Sequence, residues 1–393
     1  MGDEFPPLSW RARLEREVSR RQWPAAAGAG VLMAAAYRRG RPRSPLPETA
    51  RRALEAVLPV DPLCEGDPSP LDVLILIGPR DRDLAGIVAA AAVAAVGPAL
   101  SRLRILTPQR YLDEVAERVA SVVSAAGCST VGYAGGGYAA RGHAAGGHEV
   151  ISDEASPAEP LLGLVDAAGS VDDHGPHRAV TPLPPQRRGW VRQQVLKIGA
   201  VALAPDPTPT LVVDADTILL RPRTWLVGTR QLLSISHEFT CEYARHAERV
   251  LGRRAEHPYS FVTHHQLWQP DLLLGMLAAG VSPLPALNDL RGRRQVVMAG
   301  VRAWLTAADW GSGGSAVSEY HSYGAWAAAD PSRIALAGWR NLAVPRSSVA
   351  DILGDHRNAA ARRPADGTLS AALSRLRERF PDAASISCHH YLG

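Results

Sequence analysis

The sequence predicts an α/β protein with a mostly parallel sheet flanked by helices, on three observations. Apolar runs end in turn signals: LDVLILIG (71–78) runs into Pro79, and RLRILTP (102–108) closes on its own proline. Continuous apolar runs of this kind mark strands covered on both faces. Helical patterns separate them at the spacing of strand–helix–strand units. Finally, TLVVDADTILLRP (210–222) repeats the apolar strand and sets two carboxylates at its end.

The elements follow in order. Residues 1–67 carry two helical patterns, WRARLEREVSRRQW and ETARRALEAVL, joined by the Arg/Pro linker YRRGRPRSPLP. That linker reads as a solvated segment, with contact to phosphate or anionic lipid as the alternative. The strand at 71–78 leads to an alanine-rich helix over 84–96, the strand at 102–108 and the amphipathic helix YLDEVAERVASVVSAA. A third strand is expected near CSTVGY. The glycine-rich stretch at 132–147 has neither GxGxxG nor a GK[ST] ending, so it reads as a surface loop. HEVISDEA (148–155) reads as a further strand. GWVRQQVLKIGAVAL (189–203) is an amphipathic helix with Val191, Val195 and Ile198 on one face, and it leads into the strand ending at the aspartates. Then come the strand LLSISHEF, the helix YARHAERVLG, the alternating strand SFVTHHQLW, a helix over 271–279, and SEYHSYGAWAAADP followed by GWRNLAV. Three parts are expected: a helical N-terminal extension (1–67), an α/β domain (68–345) and a helical C-terminal tail (346–393).

Composition narrows the function classes. The chain has 393 residues, 46% hydrophobic and 21% charged, as in an ordinary folded protein with a large core. Its net charge of +4 is small for this length, and no long basic helix with interleaved aromatics appears, so no nucleic-acid partner is expected. The four cysteines, Cys64, Cys128, Cys241 and Cys388, show no CxxC spacing, which fits a reducing compartment. The start MGDEFPPLSW has no basic-then-apolar leader pattern. The uncharged run 84–100 is too weakly apolar for a transmembrane segment. A cytoplasmic location, with peripheral contact at the inner membrane face, is the expectation. Lys197 is the only lysine, in a chain that otherwise uses arginine, and so draws attention.

Asp214 and Asp216 are two apart, so in a strand they share a face, where like charges repel unless a proton or a cation joins them. At the carboxyl end of a parallel strand, ligands bind in the crevice outside the sheet. Two carboxylates there suit Mg²⁺ or Mn²⁺ on substrate phosphates, the ion neutralising charge on a departing diphosphate. The plainer alternative is a strand ending in a turn with both acids solvated or capping a helix. A phosphatase of the haloacid-dehalogenase type opens its strand-end DxDx[TV] with a nucleophilic Asp. Here Ile218 stands at the Thr/Val position, about 210 residues precede the motif, and no lysine follows it.

The order GWVRQQVLKIGA, TLVVDADTILLRP, SFVTHHQLW, SEYHSYGAWA, GWRNL resembles a bacterial family of GT-A-type glycosyltransferases, the DUF6492 putative glycosyltransferase family, over about residues 70–345. The resemblance implies a GT-A-like (Rossmann-like) mixed, mostly parallel sheet, a nucleoside-diphosphate sugar (UDP or GDP) as donor, and Mn²⁺ or Mg²⁺ on Asp214 and Asp216. Asp216 is the better direct ligand; Asp214 reaches the metal through water or holds the ribose. Arg192, Gln193, Gln194 and Lys197 match the helix before the motif, and Arg80 and Asp83 match the nucleotide-binding turn. Lys197 suits a donor phosphate or a carboxylate of the site, or else lies on an exposed face. His264 and His265 are candidates of which a regular strand turns one to the site. Glu319 is the candidate to activate an acceptor hydroxyl, on a glycan, a lipid-linked glycan or a small natural product. His321 departs from the acidic residue expected there. The terminal CHHYLG either donates a third ligand or frays. A fold-retaining scaffold that binds sugar nucleotide without turnover is the alternative from another class.

Overall fold

The computed structural model describes residues 58, 61–125, 147–168, 182–236, 240–252, 259–279, 281, 289–311, 316–349, 352 and 368–389. The expected N-terminal helices, the strand near CSTVGY and the glycine-rich stretch to Gly146 lie outside them. In chain order the elements are β1 (Leu71–Leu76), α1 (Ala85–Val96), β2 (Leu100–Thr107), α2 (Leu112–Ala125), β3 (Gly147–Ser152), α3 (Leu162–Ala168) and α4 (Pro185–Ala202). Next come β4 (Thr210–Asp214), β5 (Thr217–Leu219), β6 (Leu226–Val227), β7 (Arg230–Ile235), α5 (Cys241–Leu251), β8 (His265–Trp268) and α6 (Pro270–Ala278). The chain continues through α7 (Leu290–Thr306), α8 (Glu319–Ala327), β9 (Ile334–Gly338), β10 (Asn341–Pro345), α9 (Thr368–Arg379) and β11 (Ser385–His389).

The main sheet has the order β3-β2-β1-β4-β8, with β3 to β4 parallel and β8 antiparallel to β4. The fold is therefore α/β with a mixed, mostly parallel sheet. Side-chain alternation divides the core in two. Leu71, Val73 and Ile75 of β1, with Leu211 and Val213 of β4, pack under α1 and α2. Leu74, Leu76 and Val212 face the opposite layer with α3, α4, α6, α7 and α8. Arg82–Ala99, which includes α1, is long and apolar enough to cross a membrane by composition, yet 61% of it is buried inside the protein.

In an open α/β sheet of this order the crevice lies where the strand order reverses. From β1 the chain moves through β2 to β3 on one side, and β4 is laid down on the other side of β1. The carboxyl ends of β1 and β4, with Leu76 beside Asp214, thus flank a topological switch point, where the covering helices diverge.

Three sequence expectations change. α4 is not amphipathic: Val191, Val195 and Ile198 pack as predicted, but Gln194, Lys197 and all the residues after them to Ala202 are buried as well. The strand expected over SFVTHHQLW is regular only from His265 to Trp268, because His264 has φ of 61° and turns the chain there. The C-terminal segment is not purely helical: after α9 it forms β11, parallel to β10 and antiparallel to β5. That strand carries the chain's last described residues to the two aspartates.

Candidate functional site

The two aspartates have different environments. Asp214 ends β4, and its Oδ1 accepts hydrogen bonds from the Lys197 ammonium and, at 2.8 Å, from the Tyr320 hydroxyl. Its Oδ2 lies 3.2 Å from His264 Nδ1. The Lys197 ammonium also donates to Glu319 Oε1 at 2.7 Å and to the Tyr320 hydroxyl at 3.3 Å, and it sits 4.5 Å from the Tyr320 ring centre. Glu319 and Tyr320 open α8, whose N-cap is Ser318, and the Glu319 N–H donates to Gln194 Oε1 at 3.0 Å. Lys197 and Glu319 are almost fully buried, with 6% and 5% of their side chains exposed, whereas Asp214 keeps 23%. The result is a dry ion-pair cluster with one oxygen edge toward the crevice.

Asp216 faces the other way. Its backbone carbonyl accepts from the Cys388 N–H at 2.8 Å, so β11 runs beside it. Its Oδ2 lies 3.0 Å from His389 Nδ1, and Thr217 Oγ1 reaches Oδ1 at 3.4 Å. The His264 and His389 rings meet edge on, with centres 5.2 Å apart, joining the two halves of the site. The turn after β1 supplies a third carboxylate, Asp81. Arg346, just beyond β10, clamps that turn: it donates to the Arg80 carbonyl at 2.7 Å and to Asp81 Oδ1 at 3.2 Å, and forms an ion pair with Asp83 at 3.2 Å.

Electrostatics separate the two halves further. Burial alone would lower the Lys197 pKa, but the charges of Asp214 and Glu319 raise it above the usual lysine value. Burial opposes ionisation of Asp214; the Lys197 charge and the His264 hydrogen bond nonetheless hold its carboxyl below the usual range. Glu319 moves up instead, through burial and then the charge of Asp214, with Lys197 opposing. On the open side, burial and then the charge of Asp216 raise Asp81 to about 6. Negative charge accumulates there and a cation would relieve it.

Asp214, Lys197, His264 and Glu319 are linked by direct contacts, and Asp216 joins them through His389 against His264. Gln193 lies at the crevice, its amide so close to Gly78 that a Cβ on that glycine would stand 3.1 Å from Nε2. Asp83 and Arg80 belong to the neighbouring turn, Asp83 paired with Arg346 and the Arg80 side chain exposed.

Other expectations are corrected. Arg192 points away, 4.0 Å from Asp166, because one residue before Gln193 is a different helix face. Gln194 is buried and ties α4 to α8. His265 is packed in the core, its ring 4.2 Å from that of Trp339 and 5.5 Å from that of Trp225, and burial lowers its pKa to about 3. His321 is equally buried, and its pKa falls to about 4 for the same reason. Lys197 is not a surface lysine, and the terminal histidine at 389 is held in a strand. Tyr320, Asp81 and Arg346 were not singled out from sequence; Tyr320 and Asp81 adjoin residues that were.

For a metal, the residues fit a partial set. Among the described residues no three His, Cys, Asp or Glu side chains form a complete cage. Asp216 and His389 offer an oxygen and a nitrogen beside Asp81, which suits an ion completed by water and substrate phosphate. Asp214 is the poorer direct ligand, because its counter-charge is already the buried Lys197 ammonium, whereas the Asp216 carboxylate, among the described residues, is engaged only by His389 and Thr217.

A scan against models of known protein families finds no match, and a search of curated proteins returns no relative.

Proposed function

We propose that the chain is a metal-dependent glycosyltransferase with a GT-A-like core, related to the DUF6492 family, that moves a sugar from a nucleoside-diphosphate sugar to a hydroxyl acceptor. The observation that carries this reading is the division of labour between Asp214 and Asp216 at a topological switch point. One acid is held ionised by a buried lysine; the other, exposed to the same degree, has no such ammonium and stands beside a histidine and a third carboxylate.

Asp216 and His389 would hold Mn²⁺ or Mg²⁺, which when bound supplies Lewis-acid stabilisation of the departing diphosphate. The remaining work falls to the chain's own groups. The turn 78–83, clamped by Arg346, and Gln193 form the wall for the nucleotide. Lys197 keeps Asp214 negative, so that its Oδ2 fixes the orientation of the His264 ring. His264 is then the candidate to accept a proton from the acceptor hydroxyl; its side chain is 15% exposed but Nε2 is buried, so the ring must shift to meet the acceptor. Glu319, the first candidate for that role, is the counter-ion of Lys197 and has no open face. A phosphatase nucleophile at Asp214 would need an unengaged oxygen, which this carboxylate lacks.

The test is donor turnover. The protein is incubated with UDP- and GDP-sugars in Mn²⁺, and nucleotide release is followed; the expected result is metal-dependent release that disappears in Asp216→Ala. Nucleotide binding that raises the melting temperature without any release would instead favour a silent binder. Phosphate release from simple monoesters would revive the phosphatase.

A further inference from the structure

We propose that the exposed face of α7 docks the protein onto an anionic membrane surface. α7 is 17 residues long and contains four arginines, Arg291, Arg293, Arg294 and Arg302, and no acidic residue. Its inner face is fixed by packing: Gly300 lets the helix approach the backbone of Leu277 so closely that a Cβ there would come within 2.5 Å of that carbonyl oxygen. Val296, Val297, Val301, Trp304 and Leu305 fill the core beside it. The outer face is a groove of about 670 Å³ whose lining includes Arg291, Arg294, Gln295, Met298, Arg302 and Thr306. These positions recur at three- and four-residue intervals, so they form one continuous stripe.

Folding does not account for these charges. Three of the arginines lie within the first five residues of α7, where the helix dipole disfavours cations and the one acid at hand is the N-cap Asp289, bonded to the Gly292 N–H. Among the described residues, Arg291, Arg294 and Arg302 make no ion pair. An anionic partner removes both costs.

A second observation selects the partner. Leu290, at the head of the same helix, is 57% exposed and is the one exposed large hydrophobic among the described residues. Half-buried Met298 lies within the arginine stripe. Cationic side chains around an apolar residue suit a phospholipid surface, where arginines meet headgroup phosphates and leucine enters the acyl boundary. A single-stranded nucleic acid would call for stacking aromatics, and the described lining has none. This inference stands apart from the donor-site reading, since it uses none of the same residues.

The test is flotation of the full chain with vesicles of phosphatidylcholine, with and without phosphatidylglycerol, at low and high salt. Binding only to the phosphatidylglycerol vesicles, weakened by salt, is expected. Arg291→Glu, Arg294→Glu and Arg302→Glu together should reduce partitioning by about a hundredfold or more, at roughly tenfold or less per charge near the surface. A charge-matched control, Arg110→Glu, Arg340→Glu and Arg379→Glu, should retain most of the binding. Both triple variants are at exposed positions, and their thermal melts are recorded to show folding. Failure to float, or equal loss in the control, overturns the proposal. So does sedimentation showing a parental dimer that the α7 variant abolishes, which would give this face to a second copy.

Discussion

Asp214 and Asp216 are separated by one residue and equally exposed, yet one belongs to a network balanced by a buried ammonium and the other does not. Around Asp214 the partners come from the helical layer: Lys197 from α4, and Glu319 and Tyr320 from α8. Around Asp216 they come from segment edges: His389 at the end of β11, and Asp81, electrostatically coupled to it, in the turn after β1. The difference teaches that a short acidic motif does not assign its own chemistry. Where the charge is already balanced by a buried ammonium, the carboxylate is a fixed electrostatic element. Where it is left beside another acid, it is available to a cation.

The strongest way to break this contrast is to remove the balancing charge. Lys197→Met should destabilise the protein by about 3–5 kcal/mol, because it leaves buried Glu319 without its counter-charge and half-buried Asp214 with only Tyr320 and His264. The check is urea unfolding of parent and variant. Adding Glu319→Gln to the variant should recover part of the loss, since the second negative charge is then gone. The variant should also become more stable as pH falls. Without lysine the buried carboxyls have raised pKa values, and stability from a raised acid is present at low pH and lost as pH climbs through the folded pKa. A loss below about 1 kcal/mol would show that the cluster is a weak surface-type pair.

A smaller effect is expected on the open side, where charge is in excess. The folded pKa of Asp81 stands at about 6 against an ordinary 3.8. Its contribution is fully present below the unfolded value and disappears as pH rises through about 6, so above that pH the ionised group destabilises the metal-free fold. Asp81→Asn removes the charge and keeps an oxygen for Arg346. The variant should match the parent near pH 4 and exceed it by about 3 kcal/mol at pH 8, since a rise from 3.8 to about 6 is worth roughly 1.4 kcal/mol for each step of one in pKa. Melting curves across that range check it, and an advantage of equal size at both ends would discard the electrostatic explanation.

Particular residues show what the sequence made legible. Strands β1, β2, β4 and helices α1, α2 and α4 were readable because apolar runs and helical repeats are local. The pair at 214 and 216 was readable for the same reason, and Lys197 was conspicuous as the only lysine. What stayed hidden depends on distance in the chain. Glu319 lies 122 residues after Lys197, and nothing local reveals that it neutralises the lysine and is not free to act as a base. β11 read as part of a polar tail because its five residues gain their meaning only between β5 and β10. The left-handed turn at His264 defeated the alternation rule, which assumes a regular strand, and so which histidine meets Asp214 was undecided. Burial of α4 on both sides escaped detection because periodicity reports one apolar face, and its polar residues are buried through specific partners.

The smallest expected effect on stability is also the one that sharpens the contrast most. Asp216→Asn removes a carboxylate that, unlike Asp214, has no buried ammonium to strand. Its side chain is 22% exposed, its partner His389 can retain a hydrogen bond to the amide oxygen, and the backbone bond from Cys388 is untouched. The change in unfolding free energy should therefore stay within about 1 kcal/mol, the range of a partly exposed pair. Loss of one like charge beside Asp81 should offset some of even that cost. Cation binding should respond differently: Mn²⁺ titrated with UDP or GDP should raise the melting temperature of the parent and leave the variant unmoved. A variant that loses stability as heavily as Lys197→Met would place Asp216 in the structural half of the site. A variant that keeps the Mn²⁺ response would move the ion elsewhere, because the open carboxylate would then have no cation to hold.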